Sequence, residues 1–185
     1  MESSSTSLNE EELSNVFTAA YLAYSSSPWK EEKRQALLQF LQNNDCRRII
    51  AKCVDGDDLS RTLTYAGFKD HVDILQAFLD QGINVDVKDQ FGCTALIWAS
   101  RSSSNGSTRL LLEKYSNPNA TDNNGFTALM YASEYGHKEI VQLLLNHNAD
   151  VDFKDNDGWT AHDLARNEEI KEMIQNHVNT SYILK

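Results

Sequence analysis

The hydrophobic residues in the first third of the chain recur at intervals of three and four positions. They stand at Leu13, Val16, Phe17, Ala20, Tyr21 and Tyr24, and again at Leu37, Leu38, Phe40 and Leu41. This period is typical of amphipathic helices. Ser27 followed by Pro28 is a helix-start signal for the second of them. We therefore predict a helical segment over residues 8–54, with a third short helix near 45–54 and disorder over 1–7.

Further along the chain, several residues recur every 33 positions. The coinciding positions are Asp89, Asp122 and Asp155; Gly92, Gly125 and Gly158; Thr94, Thr127 and Thr160; Ala95, Ala128 and Ala161; and Ala99, Ala132 and Ala165. A fixed period of this length is the mark of a repeat protein, in which each unit is one small supersecondary structure. The chain therefore predicts a stack of similar units that cover one another.

Each repeated residue type has a physical role that predicts the structure of the unit. Glycine adopts a positive φ without steric cost, so Gly125 and its equivalents mark a tight turn. The hydroxyl of Thr127 is placed to cap the helix that follows. Leu129 and Ala132 lie three positions apart on one face of that helix, which we predict to be packed. A second amphipathic helix follows, with hydrophobic residues at Ile140, Val141, Leu143, Leu144 and Leu145. Residues 148–152 follow this helix and lead to the next turn aspartate, Asp155.

The start of the first helix in each unit resembles that of the ankyrin-repeat family. The family pattern is Thr-Pro-Leu-His-x-Ala. The three copies here read Thr94-Ala-Leu-Ile-Trp-Ala99, Thr127-Ala-Leu-Met-Tyr-Ala132 and Thr160-Ala-His-Asp-Leu-Ala165. The resemblance implies an all-α ankyrin-repeat solenoid of stacked helix-turn-helix units with protruding turns, preceded by an N-terminal helical cap.

The 33-residue register divides the rest of the chain into units. They are a degenerate repeat at 55–88, repeats at 89–121 and 122–154, a C-terminal cap at 155–178 and a tail at 179–185. The degenerate unit keeps its helical pattern, but Leu59 stands where its turn needs a glycine. The last unit is truncated, with a short second helix predicted from Glu169 to His177. Residues 8–54 are either a cap or a decayed repeat.

Composition and charge limit the classes of partner. Hydrophobic residues make up 41% and charged residues 24% of the chain, which is ordinary for a globular protein. The net charge of −10 disfavours nucleic acid and anionic membrane surfaces, because both are bound mainly through lysine and arginine. No apolar run reaches the roughly 18 residues of a membrane span, and the N-terminus lacks a signal-peptide pattern. Three cysteines in such a chain are interpreted as reduced thiols.

Residue types that perform chemistry are present without the spacing that chemistry requires. The carboxylate-rich stretch from Asp150 to Gly158 has Lys154 where a calcium loop needs an oxygen ligand. The five histidines and three cysteines form no close pairs of the kind that bind zinc. No nucleotide-binding or hydrolase motif is present. We therefore predict no catalytic residue, no metal site and no cofactor.

Some polar residues of the repeats receive a structural interpretation. His71 and His137 fall at the Gly-His position of the family, where a structural role is expected. Asp122, Asp155 and Asp157 are interpreted as solvated turn residues rather than as contacts with a partner.

The resemblance also implies where a partner binds. In this family the turn residues and the exposed end of the first helix face the partner, and aromatic and arginine side chains are common hot spots. The corresponding residues here are Phe68, Lys69, Phe91, Trp98, Arg101, Phe126, Tyr131, Tyr135 and Trp159. An aromatic residue beside a turn can instead simply cover the neighbouring turn, so each residue taken singly has two interpretations.

The function predicted from these patterns is protein binding without catalysis. The protein is expected to be an adaptor, or an inhibitory or regulatory subunit, that binds another protein through the concave face and the turn tips. The acidity leaves one alternative, a chaperone-like or regulatory subunit for a basic partner protein. We expect a monomer in the cytoplasm, with the nucleus as the alternative location.

Overall fold

A computed structural model describes residues 31–43 and 56–183 of the chain. The helix predicted around Leu13 to Tyr24, the short helix near 45–54 and the disorder predicted over 1–7 lie outside the described residues. The described helices are α1 (Glu31–Asn43), α2 (Gly56–Phe68), α3 (Val72–Asp80), α4 (Ala95–Arg101), α5 (Asn105–Glu113), α6 (Ala128–Tyr135), α7 (Lys138–Asn146) and α8 (Glu168–Ile183).

The helices form two rows. In the inner row α2 packs on α4 and α4 packs on α6, while the outer row runs α1, α3, α5, α7 and α8. Consecutive helices form the pairs α2–α3, α4–α5 and α6–α7, so each pair contacts mainly its neighbours. Over the described residues the regular structure is helical apart from one isolated bridge between Thr121 and Thr127. The predicted all-α solenoid is confirmed.

The residues predicted to face the packed side of the inner helices form the core. Leu96, Ala99, Leu129 and Ala132 are all at most 1% exposed. Small residues let the inner helices come close: a Cβ atom on Gly67 would lie 2.6 Å from the carbonyl oxygen of Ala95 in the next unit. The hydrophobic contacts between units therefore supply the stability that one pair of helices could not supply alone.

The predicted threonine caps are confirmed. The Oγ1 atom of Thr94 accepts a hydrogen bond from the backbone N–H of Ile97 at 3.3 Å, and Thr127 does the same for Met130. These bonds satisfy backbone N–H groups that have no partner within the helix. The predicted positive φ is also confirmed, at +76° for Gly92, +82° for Gly125 and +89° for Gly158.

The degenerate unit differs from the prediction at its turn. The turn expected ahead of Leu59 is replaced by helix, because α2 starts at Gly56 and is longer than α4 or α6. In the complete repeats a glycine with positive φ and a capping threonine separate the turn from the helix. Leu59 and Arg61 stand at those two positions, so nothing stops the helix from extending backwards.

The last unit differs at both of its helices. Residues 161–164 form a single turn rather than a full first helix. Thr160 still caps this turn, since its Oγ1 accepts from the N–H of Asp163 at 3.2 Å and the Asp163 carboxylate accepts in return from the Thr160 N–H at 3.0 Å. The second helix, α8, continues to Ile183, so it is longer than the predicted Glu169–His177 helix and includes most of the predicted tail at 179–185.

Helix α1 takes the place of an outer helix in front of the first described repeat. It buries Leu37 and Leu41 and packs on α3. The Arg34 guanidinium also donates two hydrogen bonds to Asp73 of α3, at 2.7 and 3.3 Å. Among the causes that raise the pKa of Arg34, this bond to Asp73 is the largest. Helix α1 therefore covers α3 at one end of the described stack.

Successive units are tied together where the second helix of a pair starts. The His137 Nε2 atom lies 3.1 Å from the carbonyl oxygen of Arg101, which ends the preceding inner helix. In the preceding unit Ser104 takes the histidine position, and its hydroxyl donates to the carbonyl oxygen of Phe68 at 3.1 Å. The structural role predicted for His137 is confirmed, and a serine performs the same role one repeat earlier.

The hydroxyl groups of Ser133 and Ser104 have opposite environments, which predicts opposite effects of substitution. Ser133 is fully buried and its hydroxyl has no hydrogen-bond partner. We expect Ser133→Ala to raise the free energy of unfolding by up to about 1 kcal/mol, because a desolvated group without a partner is removed and alanine favours helix. Ser104→Ala removes a hydrogen-bonded hydroxyl and should lower the free energy of unfolding by about 1 kcal/mol. Urea unfolding of both variants tests this, and stabilisation by both substitutions would contradict it.

Candidate functional site

The turn aspartates accept hydrogen bonds that hold the aromatic residues of the inner helices. The Oδ1 atom of Asp122 accepts from the N–H groups of Asn124 and Phe126, at 2.8 and 2.9 Å, and closes the turn. Its Oδ2 atom accepts from the hydroxyl of Tyr131 at 2.7 Å. In the preceding unit Trp98 donates its indole N–H to Asp89, also at 2.7 Å. Each ring is therefore fixed against its own turn.

The interpretation of Asp122 and Asp155 as solvated turn residues was wrong. Asp122 is 8% exposed and Asp155 is 7% exposed. Asp155 accepts from the N–H groups of Asp157 and Trp159, at 3.0 and 2.8 Å. Carboxylates tolerate burial when backbone N–H groups satisfy them, and a turn offers several such donors within reach of one side chain. Asp157 itself is exposed, as expected for a residue at the tip.

The turn tips are held in a row by asparagine side chains. The Asn123 backbone N–H donates to the Phe91 carbonyl at 3.0 Å, and its side-chain amide donates to the Gln90 carbonyl at 3.2 Å. Asn156 makes the equivalent pair of bonds to Asn124 and Asn123, both at 3.1 Å. Since each turn is bonded to the one before it, the tips present their side chains at fixed spacing.

Aromatic rings from three successive units meet along the inner row. Phe68 and Trp98 are in edge contact with centroids 5.8 Å apart. Tyr131 contacts Phe126 at 5.0 Å and Tyr135 at 6.4 Å. We call this set the aromatic strip; its members are Tyr65, Phe68, Trp98, Phe126, Tyr131 and Tyr135. The strip lies on the surface formed by the inner helices and the turn tips, which we call the concave face.

Arg101 bridges the two halves of the aromatic strip. Its guanidinium carbon lies 5.2 Å from the ring centroid of Trp98, 5.5 Å from that of Tyr131 and 5.7 Å from that of Tyr135. At the other end Lys69 places its ammonium 4.9 Å from the centroid of the Phe68 ring. Both contacts are within the range of cation–π attraction. Seven residues predicted separately as partner contacts thus lie along one strip, namely Phe68, Lys69, Trp98, Arg101, Phe126, Tyr131 and Tyr135.

Tyr65 was missed by the sequence analysis. It occupies the position 33 residues before Trp98 and 66 before Tyr131, so the repeat period carried the signal. Its ring contacts Phe68 at 6.4 Å and lies 5.8 Å from the Lys69 ammonium. One position of the repeat is therefore aromatic in three successive inner helices.

The three aromatic residues of the turns have different surroundings. Phe91 is 56% exposed and Trp159 is 54% exposed, whereas Phe126 is partly buried and packs against the core. Among the described residues no ring contact joins Trp159 to the aromatic strip. The structure therefore brings Phe91 and Phe126 to the strip region and leaves Trp159 separate at the last turn.

Two adjoining clefts open on the concave face. The first, of about 280 Å³, is mainly apolar and is lined by Arg61, Thr64, Tyr65, Phe68, Asp89, Phe91 and Trp98. The second, of about 420 Å³, is more polar and is lined by Phe91, Cys93, Trp98, Arg101, Asp122, Asn123, Asn124 and Tyr131. Phe91 and Trp98 border both clefts. Each cleft is open and shallow, which suits a side chain of a partner better than an enclosed substrate.

Burial suppresses the ionisation of the two acidic groups beside Arg101. Burial and then the bond to Asp122 raise the pKa of Tyr131 far above its ordinary range. Burial, reinforced by the charges of Asp89 and Asp122, raises the pKa of the Cys93 thiol to about 12. At neutral pH the Cys93 side chain is a protonated thiol, which is a poor nucleophile.

The described residues form neither a candidate metal site nor a membrane-spanning helix. Within residues 31–43 and 56–183, no three side chains of His, Cys, Asp or Glu are grouped so that they could bind a metal ion together. Over the same residues no helix has both the length and the apolar composition needed to cross a bilayer.

The chain matches the model of a known protein family. A family model described as ankyrin repeats matches in three overlapping copies, over residues 31–122, 63–155 and 104–176. Together the copies include helices α1 to α7 in full and most of α8. No curated protein is significantly similar to the chain.

Proposed function

Because the chain belongs to the ankyrin-repeat family, whose repeats form protein–protein interaction modules, we propose that it is a non-enzymatic adaptor or an inhibitory subunit. It binds a partner protein through the concave face and the turn tips. A cytoplasmic location, with the nucleus as the alternative, and a monomeric state belong to the same proposal.

The observation that carries this proposal is the continuity of the aromatic strip with the exposed Phe91 beside it. Soluble proteins seldom expose contiguous aromatic surface without a use for it. The strip is also rigid, since Trp98 and Tyr131 are hydrogen-bonded to the turn aspartates Asp89 and Asp122. Rigid aromatic residues lose little side-chain entropy on binding, so they are effective hot spots.

The alternative function, a chaperone-like subunit for a basic protein, has less support on this face. The strip carries the cations Lys69 and Arg101, which would repel a basic partner. The alternative rests on the net charge of −10. Titration with salt separates the two: exposed charge pairs are screened, so a charge-driven complex weakens steeply while one driven by aromatic burial changes little.

The function is tested by substituting the exposed aromatic residues of the turns. We expect a Phe91→Ser, Trp159→Ser variant to lose the cellular partner that the wild-type chain captures, because both side chains are more than half exposed and contribute little to the core. Quantitative mass spectrometry of proteins retained on each immobilised chain measures this. Phe126 is a poorer choice, because it packs on the core and its removal would also destabilise the fold.

Tyr115 provides the matched control. It is 92% exposed but lies in the loop after the outer helix α5, with a φ of +62°. Asn148 occupies the equivalent position with φ +61°, so Tyr115→Asn removes an exposed aromatic residue without strain. Retention of the same partner by wild type and by the Phe91, Trp159 variant would refute the proposal. Loss from the Tyr115 variant alone would move the binding site to the outer surface.

A further inference from the structure

Arg101 has an unused set of hydrogen-bond donors at a fixed position. Its side chain is half-buried among the rings of Trp98, Tyr131 and Tyr135. Among residues 31–43 and 56–183 it makes no side-chain hydrogen bond and no salt bridge, whereas Arg34 uses its guanidinium to bind both Glu31 and Asp73. A guanidinium carries five N–H donors and remains charged at all physiological pH values.

No carboxylate of the described residues forms a salt bridge with Arg101. Asp122 lines the same cleft, but its two oxygens already accept from Asn124, Phe126 and Tyr131. Stacking on aromatic rings keeps a guanidinium in place while leaving its N–H edge open to an acceptor. The arrangement therefore positions Arg101 for a carboxylate that comes from outside the described chain.

Lys69 repeats this arrangement one unit earlier. Its exposed ammonium lies near the rings of Phe68 and Tyr65 and forms no ion pair with the described residues. The apolar cleft bordered by Phe91 and Trp98 lies on the same surface as both cations. Within the described residues, this acidic chain of net charge −10 thus presents two cations without an ion pair beside its apolar cleft.

We propose that the concave face binds a segment of the partner protein in which an aspartate or glutamate stands next to a large apolar side chain. The carboxylate pairs with Arg101, and the apolar side chain enters the cleft between Phe91 and Trp98. This inference rests on the proposed function and adds the chemistry of the partner. Lys69, at the N-terminal side of the cleft, offers a second cation to which another acidic side chain of the segment can bind.

A carboxylate fits this surface better than a phosphate. Arg101 is a single guanidinium, and the carboxylates of the buried Asp122 and the half-buried Asp89 lie at the same clefts. A doubly charged phosphate would be repelled by these aspartates more strongly than a singly charged carboxylate. The overall negative charge also disfavours a nucleic-acid backbone.

The probes are short random peptides displayed on phage and selected on the immobilised full chain. We expect the enriched peptides to carry Asp or Glu beside Leu, Phe, Tyr or Trp. One enriched peptide is then synthesised with its acidic residue intact, changed to the matching amide, or replaced by phosphoserine. Calorimetric titration of each peptide against the wild-type chain and its variants gives the dissociation constants.

The variants are Arg101→Leu, Arg101→Lys and, as the matched control, Arg109→Leu. Arg109 is exposed on the outer helix α5, so its removal changes the net charge equally without touching the concave face. We expect Arg101→Leu to weaken binding of the acidic peptide about tenfold and to change binding of the amide peptide hardly at all. Arg109→Leu should change neither affinity. Arg101→Lys keeps the charge but loses the planar fork, so its loss should be intermediate. The His137 bond uses the Arg101 carbonyl oxygen, so it survives each substitution.

The outcomes distinguish this inference from the proposed function. A Phe91→Ser variant is titrated in the same way. If the enriched peptides are neutral or basic and this variant no longer binds them, the concave face is the binding site but the inference of an acidic segment is wrong. The inference, but not the proposed function, is also overturned if Arg101→Leu weakens binding of the acidic and amide peptides equally, or if the phosphoserine peptide binds more tightly than the acidic one. Peptides that bind Phe91→Ser as well as wild type, or no enrichment at all, contradict both.

Discussion

Replacing Gly92 with alanine is expected to lower the free energy of unfolding by about 3–5 kcal/mol. Gly92 has a φ of +76°, in the left-handed region that costs an L-residue roughly 1–2 kcal/mol. A Cβ atom there would also lie 2.4 Å from Asn123 Oδ1 and 2.9 Å from the Asn123 backbone nitrogen. The side chain can turn away, but the backbone nitrogen is held by its bond to the Phe91 carbonyl. The next turn must therefore shift.

Gly158 is the matched control for this substitution. Its φ is +89°, but nothing lies within 4 Å of the Cβ that alanine would add. Gly158→Ala should therefore cost only the backbone term of about 1–2 kcal/mol. Urea unfolding followed by circular dichroism measures both variants. Equal losses of stability would mean that the contact between turns contributes nothing and that the conformation of each glycine accounts for the whole effect.

The second large effect is expected for Asp122→Ala, which should lower the free energy of unfolding by about 3 kcal/mol. Asp122 is buried and accepts from two backbone N–H groups and from the Tyr131 hydroxyl. Alanine leaves these donors without an acceptor in a region that water does not fully reach. The turn and the ring of Tyr131 lose their connection together.

A double-mutant cycle isolates the contribution of Tyr131. Tyr131→Phe removes only the hydroxyl, and we expect a coupling energy with Asp122→Ala of about 1–2 kcal/mol. Asp155→Ala gives a comparison within the chain, because Leu164 stands where Tyr131 stands and no aromatic donor reaches Asp155. Its cost should be smaller than that of Asp122→Ala. Additive effects of the Asp122 and Tyr131 substitutions would show that the hydroxyl bond does not fix the ring.

The features predicted correctly from sequence are those that depend on local geometry. A positive φ at Gly125 and the threonine cap of α6 each involve atoms within a few residues of chain. The amphipathic helix α7 follows in the same way from the spacing of its buried Ile140 and Leu144. The 33-residue period then carried one local solution to every unit. The family and the all-α fold could therefore be predicted before any coordinates were known.

Two of the predictions that failed concern places where a unit departs from its neighbours. The sequence shows that Leu59 replaces the glycine of the turn. It does not show that helix α2 extends through the missing turn. The continuation of α8 to Ile183 was missed for a similar reason, because its polar surface hid the helical period. In both cases a residue pattern that marks a turn or a helix end is missing. The sequence does not show which structure forms in its absence.

The sequence by itself determined the repeat, its caps and turns, and the residue types that reach the concave face. The tertiary structure alone decided that Arg101 lies between rings of two successive units, that Asp122 is buried, and that Trp159 stands apart from the aromatic strip. The physical reason is that these contacts join side chains of different turns and helices. Their distances depend on how closely the helices stack, which the 33-residue period does not encode.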